Sequence, residues 1–312
     1  MSDWTSHGDP LLTRFRFATV GSANVATTAQ LYRDVLDYRT REAGNVSTEL
    51  AESWGTPAAA GRPYCLLSTE GAERDYIRIV ETPAVPGYRA LTTFGWAAIE
   101  IIVDDVHAVH DRLKASEFRI LAAPKPLQFM PSIVAMQVEG PSGECLYFTM
   151  ESGDRAASIL PQPRSLIDRP FILVLAGRDF DAMRNWYCDL FDLKRRPLRN
   201  SLISLVQTAQ GLPADHAIRM TTAGLREHGY LFEFDEYPSG PGFIATDRPQ
   251  APGALPPGCA MASIETLAFD RVVPLAIAPP RVHSGLGYDG RRSCTVRGPA
   301  GELVEFIEEK AS

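Results

Sequence analysis

The chain has 312 residues, which is long for one hydrophobic core and sufficient for two domains of about 150 residues each. Its hydrophobic content of 45% and charged content of 22% are ordinary for a globular protein. Its 31 lysine and arginine residues against 38 aspartate and glutamate residues give a net charge of −7, which excludes general nucleic-acid binding. The basic stretch Lys194-Arg195-Arg196 is too short to alter this conclusion and is interpreted as a solvated strand end.

Residues 1–9 lack the basic start and apolar centre of a signal peptide. No segment approaches the length of about 20 apolar residues that a membrane span needs. The five cysteines have no CxxC spacing, a pattern that favours reduced and packed thiols over disulfides or a zinc cluster. We therefore expect a cytoplasmic protein with neither a nucleic-acid nor a membrane partner.

The first unit of the chain begins with alternating polar and apolar side chains over residues 14–20, the pattern of a strand. The period then changes to that of a helix over residues 25–36, where Ser22 or Asn24 can serve as N-cap. Strand-like runs follow at residues 39–42, 64–67 and 76–80. The unit therefore reads as a strand, a helix and three further strands.

The second unit follows a connector rich in Pro and Gly. An apolar strand is predicted at residues 97–103, and Asp104 or Asp105 can then cap a helix over about residues 106–115. The turn Gly140-Pro-Ser-Gly143 joins the next strands. These strands are predicted at residues 133–138 and 145–150.

Residues 171–309 repeat this plan twice more. In the third unit the apolar pattern predicts a helix at about residues 181–191. In the fourth unit only a turn is predicted at 270–273, because Pro274 follows at once and cannot continue a helix. Strands are predicted at residues 171–175, 194–198, 202–207, 217–221, 230–234, 261–268, 293–296 and 303–307. Residues 151–170 are the best candidate for a linker between the two halves.

Two short segments occur once in each half, in the same order. Leu31-Tyr-Arg-Asp-Val-Leu corresponds to Trp186-Tyr-Cys-Asp-Leu-Phe. Gly140-Pro-Ser-Gly-Glu corresponds to Gly298-Pro-Ala-Gly-Glu. Both pairs have nearly the same offset of about 155 residues, which indicates a duplicated chain. The duplication aligns Tyr147 with Glu305 in the closing strand of the second copy, so the halves cannot share one chemistry if these positions line a site.

The repeated order of one strand, one helix and three strands resembles the vicinal oxygen chelate superfamily, which includes glyoxalases, bleomycin-resistance proteins and extradiol dioxygenases. The two helix endings above carry the resemblance, together with Ile101-Ile-Val-Asp-Asp-Val and Gly301-Glu-Leu-Val-Glu-Phe. It implies an α+β fold in which four βαβββ units pair into two glyoxalase-like domains, at residues 10–150 and 168–310. It says less about the reaction, because this fold carries unrelated chemistries.

The resemblance also implies that metal ligands would lie on the first and last strands of the units, where members present His, Gln or Glu. The residues at these places are Phe17, Ala98 and Ile172 on first strands, and Arg78, Tyr147, Glu233 and Glu305 on last strands. Without imidazole, iron and zinc are disfavoured, and we assign no metal ligand. Carboxylates alone would favour an oxygen-loving divalent cation such as Mg²⁺, so the identity of any cofactor stays open.

Glu305 is the first candidate for a catalytic residue, because it lies in an apolar strand where an unpaired charge is costly. It would act as a base or an electrostatic anchor, unless its side chain faces solvent. His283 in a Gly-rich segment and His216 beside a loop are candidates for a general acid or base, since imidazole titrates near neutral pH. Candidate substrate-binding residues are Glu233, Glu265, Tyr147 and Tyr288, with Glu265 alternatively an outward-facing strand residue.

The sequence thus predicts an enzyme of the glyoxalase and dioxygenase type that acts on a small oxygenated, aromatic or hydrophobic metabolite by proton transfer, isomerisation or lyase chemistry. Its working cup would form in the C-terminal half, and the N-terminal half would be a structural copy. One alternative is extradiol ring cleavage, which the fold suggests and the missing histidines oppose. Another is a non-catalytic protein that binds a drug or metabolite. The expected partner is a small molecule, and a homodimer is an option.

Overall fold

Two eight-stranded sheets and six helices make up the part of the chain that the computed structural model describes, residues 9–72 and 74–309. Unit one contains β1 (Leu12–Ser22), α1 (Val25–Leu36), β2 (Arg39–Asn45), α2 (Thr48–Ser53), β3 (Pro63–Ser68) and β4 (Tyr76–Glu81). Unit two contains β5 (Gly95–Val103), α3 (Val106–Leu113), β6 (Arg119–Pro126), β7 (Ile133–Glu139) and β8 (Cys145–Glu151). Both units follow the predicted order of a strand, a helix and three strands.

The second half repeats the order. Unit three contains β9 (Ile167–Gly177), α4 (Phe180–Leu190), β10 (Arg199–Ser201), α5 (Ser204–Gln210), β11 (Ile218–Gly224) and β12 (Leu231–Glu236). Unit four contains β13 (Gly258–Thr266), α6 (Phe269–Val272), β14 (Arg281–His283), β15 (Arg291–Arg297) and β16 (Leu303–Glu308). The fourth helix is a single turn before a 3₁₀ turn that contains Pro274, as predicted. None of the helices in the described ranges is long and apolar enough to cross a membrane.

The units pair across the two halves of the chain. One sheet has the order β14-β15-β16-β13-β1-β4-β3-β2, and the other has the order β10-β11-β12-β9-β5-β8-β7-β6. Units one and four therefore share a sheet, as do units two and three. The expectation that each half, 10–150 or 168–310, pairs its own two units is wrong. The physical reason is that β9 folds back beside β5 in an antiparallel pair, which leaves β1 to pair with β13.

Three local predictions differ from the structure. The predicted strand at 194–198 is irregular backbone that leads into β10, which begins at Arg199. The predicted strand at 202–207 is largely the helix α5, which ends at Gly211 in a left-handed conformation with φ of 66°. A short apolar run of this length does not distinguish a strand from a buried helix turn. The strand β6 was not predicted, because it is a largely exposed edge strand that contains Pro124 and Lys125.

Three of the longer helices begin at polar side chains that cap them. Asn24 accepts the backbone N–H of Thr27 at 3.0 Å and starts α1, as one of its two predicted caps. Asp105 caps α3 in the same way, and Asp179 caps α4. These caps satisfy backbone N–H groups that the first turn of each helix leaves without a partner.

A shared apolar core lies between the two sheets. Its largest cluster includes Tyr32 of α1, Ile99 of β5, Phe232 of β12 and Phe306 of β16, so all four units contribute. Because side chains alternate along a strand, the neighbouring residues point to the opposite face of each sheet. Those opposite faces form the walls of two separate cups, each with its own smaller apolar clusters.

Candidate functional site

Each unit places one residue of its first strand beside one residue of its last strand within a cup. The strand registers match Thr19 with Arg78, Glu100 with Tyr147, Val174 with Glu233, and Ser263 with Glu305. The pairing of units brings the first and fourth of these pairs into one cup and the second and third into the other. The two cups therefore receive different chemical groups at matching places.

The cup of units one and four, called the closed cup here, is filled by its own side chains. Glu305 is fully buried there, and four donors surround its carboxylate. Its Oε1 accepts from the Trp54 indole at 3.0 Å and from the Tyr288 hydroxyl at 2.8 Å. Its Oε2 accepts from Arg78 at 3.2 Å and from the Ser263 hydroxyl at 2.5 Å. A carboxylate held in this way is already fully engaged as an acceptor.

Arg78 completes the network of the closed cup. It donates to the Tyr288 hydroxyl at 2.7 Å and to the Thr19 hydroxyl at 3.0 Å. Its guanidinium also lies 4.5 Å from the ring centres of both Phe17 and Trp54, within the range of cation–π attraction. The closed cup thus supplies its own cation opposite its carboxylate, and we assign this pair a structural role.

Two further residues predicted for the C-terminal site have local partners as well. Glu265 is fully buried and pairs with Arg16 and with Arg291, the latter at 2.5 Å. Burial alone would raise the pKa of Glu265, but the two guanidinium groups lower it overall. His283 lies on the edge strand β14 and packs against the Tyr288 ring with 5.2 Å between centroids. Burial lowers the pKa of the His283 imidazole, which favours its neutral form.

The cup of units two and three, called the open cup here, contains a cavity of about 670 Å³. This volume falls within the range of about 300–1,000 Å³ that is typical of small-molecule sites. Glu100, Tyr147 and Glu233 line its floor from β5, β8 and β12. Its apolar walls include Ile133, Leu160, Ile172, Leu205, Met220 and Leu231.

Glu100 and Glu233 on the floor of the open cup, and Asp235 two residues further along β12, form no ion pair within residues 9–72 and 74–309. Burial raises the pKa of Glu100 to about 7, although a hydrogen bond from Thr149 at 2.5 Å partly offsets this effect. Burial, with the negative charges of Asp235 and Glu100, raises the pKa of Glu233 well above its ordinary value. Burial and the charge of Glu100 raise the pKa of Asp235 to about 7. At neutral pH these groups therefore share protons instead of carrying three charges.

Two more polar groups lie close to these carboxyls. Burial raises the pKa of Tyr147 well above its ordinary value, so its phenol stays protonated and can donate a hydrogen bond into the cavity. Oδ1 of Asp235 and the hydroxyl of Tyr237 are buried without a hydrogen-bond partner within the described ranges.

The structure places some of the predicted site residues at this cavity and others elsewhere. Glu233 and Tyr147, both predicted to bind substrate, line the cavity. His216 does not line it, since its ring packs near Phe243 at 6.1 Å. Glu100 was missed, although it is a single carboxylate within the apolar strand 97–103, the same signal that singled out Glu305.

The donors of the open cup do not fit the metal site that the family resemblance implies. The four matching positions hold Val174, Glu100, Tyr147 and Glu233, with no imidazole or thiolate. In residues 9–72 and 74–309 no three His, Cys, Asp or Glu side chains are grouped so that they could hold a metal ion. We therefore derive no step through a metal.

A second cavity, of about 320 Å³, lies where the two sheets meet. Arg248 crosses it and donates to the Trp96 carbonyl at 2.6 Å and to the Thr93 hydroxyl at 3.0 Å. Glu302, also in its lining, accepts from the Tyr187 hydroxyl at 2.8 Å. These polar groups hold the sheets together, so the open cup is the better candidate for a ligand site.

Solved structures of the glyoxalase type share this fold along nearly the whole chain. Glyoxalase I from Zea mays is 13% identical, with 95% of this chain and 92% of that chain covered and a TM-score of 0.62. A candidate dioxygenase from Bacillus subtilis is 11% identical, with 98% and 87% covered and a TM-score of 0.61. No protein-family model and no curated protein sequence matches the chain. The resemblance is confirmed as a fold, and at these identities it shows the fold alone.

Proposed function

We propose that the protein binds a small oxygenated, largely apolar molecule in the open cup and moves a proton on it. The observation that carries this proposal is the position of Glu100 and Glu233 on the floor of an apolar cavity of about 670 Å³. Titratable groups whose environment moves their pKa toward neutrality, and which line a cavity, are typical of acid–base sites. We therefore assign the catalytic role to carboxyls of the open cup and not to Glu305, whose side chain is enclosed.

The two carboxyls suit different roles. Glu233, whose pKa is raised well above its ordinary value by burial and by the charges of Asp235 and Glu100, can donate a proton to a carbonyl oxygen of the ligand. Glu100, whose pKa burial raises to about 7, is partly ionised and can accept a proton from the carbon beside that carbonyl. The C–H electrons then form the C=C bond of an enol, and the reverse transfers return a ketone. Tyr147 can donate a further hydrogen bond to the developing oxygen charge.

Hydrogen exchange tests this proposal directly. The protein is incubated in D₂O with 2-tetralone or phenylpyruvate, and loss of the α-proton signal is followed by NMR, with the uncatalysed rate subtracted. Glu233→Gln and Glu100→Gln should each lower the rate by about 10²-fold. Tyr147→Phe should lower it by about tenfold or less.

The exposed variant Glu117→Gln is the matched control and should exchange at the wild-type rate. An unchanged rate in both open-cup variants would contradict proton transfer at this site. The second candidate is a non-catalytic binder, which the mostly apolar walls also favour. It predicts no exchange above background in any variant, together with ligand affinity that survives Glu233→Gln.

A further inference from the structure

Three cations line the mouth of the open cup: Lys125, Arg196 and Arg199. None of them forms an ion pair with an Asp or Glu among the residues that the structure describes. Arg196 donates one hydrogen bond, to the Thr222 hydroxyl at 3.2 Å. It belongs to the basic stretch that the sequence suggested was a solvated strand end, yet it is half-buried and faces the cavity.

The surroundings of Arg196 leave its charge poorly satisfied. Burial and the neighbouring charge of Arg199 lower the pKa of Arg196, which shows that its guanidinium has lost water and gained a like charge. A bound anion would offset both costs and could accept two parallel N–H bonds. Arg41, at the matching sequence offset in unit one, instead donates to the Ser68 hydroxyl at 2.8 Å and to the Thr69 carbonyl at 3.0 Å. The Arg196 guanidinium has only its bond to Thr222 among the hydrogen bonds of the described residues.

The rest of the open cup favours an anion with an apolar body. The floor carboxyls share protons at neutral pH, so the mouth cations dominate the charge within the cup. The mouth also carries large exposed apolar side chains, Phe129 at 45%, Ile159 at 41% and Leu202 at 47%. The Arg199 guanidinium lies 4.3 Å from the Phe129 ring centre, which keeps this charge at the apolar rim.

We infer that the open cup selects amphiphilic oxyanions, with a carboxylate or phosphate held by Arg196 and Arg199 at the mouth and an apolar body inside. The inference rests on the proposed function of the open cup as the ligand site. It adds a specificity role for the two arginines that proton transfer alone does not require. The ligand oxygen that meets Glu233 would lie at the opposite end of the apolar body.

Calorimetric titration with three probes of one shape tests the inference. The probes are 2-naphthoate, 2-naphthyl phosphate and the neutral 2-naphthamide. At least one anion should bind about tenfold or more tightly than the amide, and this preference should shrink at 0.5 M salt, where the screening length is below about 5 Å. The tighter of the two anions identifies a carboxylate or a phosphate as the natural group.

Arg196→Gln and Arg199→Gln should each remove about tenfold of the anion affinity and leave amide affinity unchanged. Arg195→Gln is the matched control, because Arg195 is adjacent in sequence but pairs with Asp189 outside the cavity. Arg199 is exposed, so its variant keeps the test valid if Arg196→Gln folds poorly.

The outcomes separate this inference from the proposed function. Equal affinity for the anions and the amide, no anion binding, or anion affinity unaffected in both arginine variants overturns the inference. If the amide binds and exchange depends on Glu233, the proposed function stands without it. Arginine-dependent anion binding without any hydrogen exchange supports the inference and contradicts the enzymatic proposal.

Discussion

The role of a buried glutamate in this protein depends on which charge lies opposite it. Glu305 faces the guanidinium of Arg78 and accepts four hydrogen bonds. Glu233, at the position that matches Arg78 in the duplication, instead lies near Asp235 and Glu100, and its pKa rises because of burial and their charges. One acid is thereby held in a buried ion pair, and the other is the one we propose to transfer a proton.

The closed-cup pair should prove structural when Glu305 is changed. Glu305→Leu leaves the Arg78 guanidinium, which is 2% exposed, without its charge partner, so we expect a loss of about 3–5 kcal/mol in unfolding free energy. Adding Arg78→Met should recover much of this loss, because the unpaired charge is then absent. Urea denaturation of the single and double variants measures both effects.

The exposed pair Arg39–Glu70 supplies the control for this cycle. Its side chains are 58% and 75% exposed, so Glu70→Leu should change the unfolding free energy by less than about 1 kcal/mol. A Glu305→Leu protein as stable as the wild type would show that the buried pair is not structural.

At the scale of elements, the two duplicated segments turn out to be bonded to each other within each half. The Tyr32 hydroxyl of α1 donates to Glu144 at the turn before β8, at 2.8 Å. The Tyr187 hydroxyl of α4 donates to Glu302 before β16, also at 2.8 Å. Each bond joins one sheet to the other. The helix α1 and Glu302 belong to units one and four, which share one sheet, whereas α4 and Glu144 belong to units three and two, which share the other. The duplicated segments of the sequence therefore form the same hydrogen bond between the two sheets, once in each half of the chain.

These two hydrogen bonds between the sheets should contribute similarly to stability. Tyr32→Phe and Tyr187→Phe each leave a fully buried carboxyl without one donor, so each should lower the unfolding free energy by about 1–3 kcal/mol. Tyr64→Phe, which removes a hydrogen bond to the more exposed Glu42, should cost less. Thermal or urea unfolding compares the three variants. A larger loss of unfolding free energy for Tyr64→Phe would contradict the role of Tyr32 and Tyr187 in holding the sheets together.

Local patterns in the sequence predicted most elements but not their partners. The helix caps Asn24 and Asp105, and the truncation of α6 by Pro274, follow from short-range chemistry. The choice of β13 as the partner of β1 depends on contacts about 240 residues apart, which no local pattern encodes. The prediction of the site has the same limit. The sequence suggested that Glu305 faces an open cup, because no local pattern shows that Arg78 lies opposite it.

At the scale of the whole molecule, pairing across the halves gives one cup with a buried charge pair and one with acids on its floor and cations at its mouth. Had each half paired its own units, Arg78 and Glu233 would have joined Tyr147 and Glu305 respectively. Two carboxylates would then have shared the C-terminal cup. The observed pairing leaves one cup filled by a buried ion pair and the other with a cavity of about 670 Å³.

The buried acids should make the protein less stable as pH rises. Burial raises the pKa of Glu144 and Glu302 to about 7 in the folded state, against 4.5 for an ordinary glutamate. Between these values the folded protein keeps protons that the unfolded chain releases. Their contribution to stability is therefore complete below about pH 4.5 and is lost as pH rises through about 7. Burial places Glu100 in the same pKa range.

Urea denaturation at pH 5.5 and pH 8 should show this loss, with an unfolding free energy about 2 kcal/mol or more lower at pH 8. The double variant Glu144→Gln/Glu302→Gln keeps the side-chain shape and removes two of the titrating groups, so its dependence on pH should be flatter. A wild-type stability that rises between these pH values would contradict the assignment of raised pKa values.

The proton-sharing floor of the open cup is the central claim, and carbon NMR measures it directly. The side-chain carboxyl carbons of glutamate are labelled with ¹³C, and their shifts are followed from pH 4 to 9, with Glu233→Gln and Glu100→Gln used for assignment. We predict that Glu100 titrates near pH 7, that Glu233 titrates well above the ordinary range of a glutamate, and that the Glu100 midpoint falls in Glu233→Gln because a like charge is removed. Both residues titrating below pH 5, independently of each other, would contradict the account.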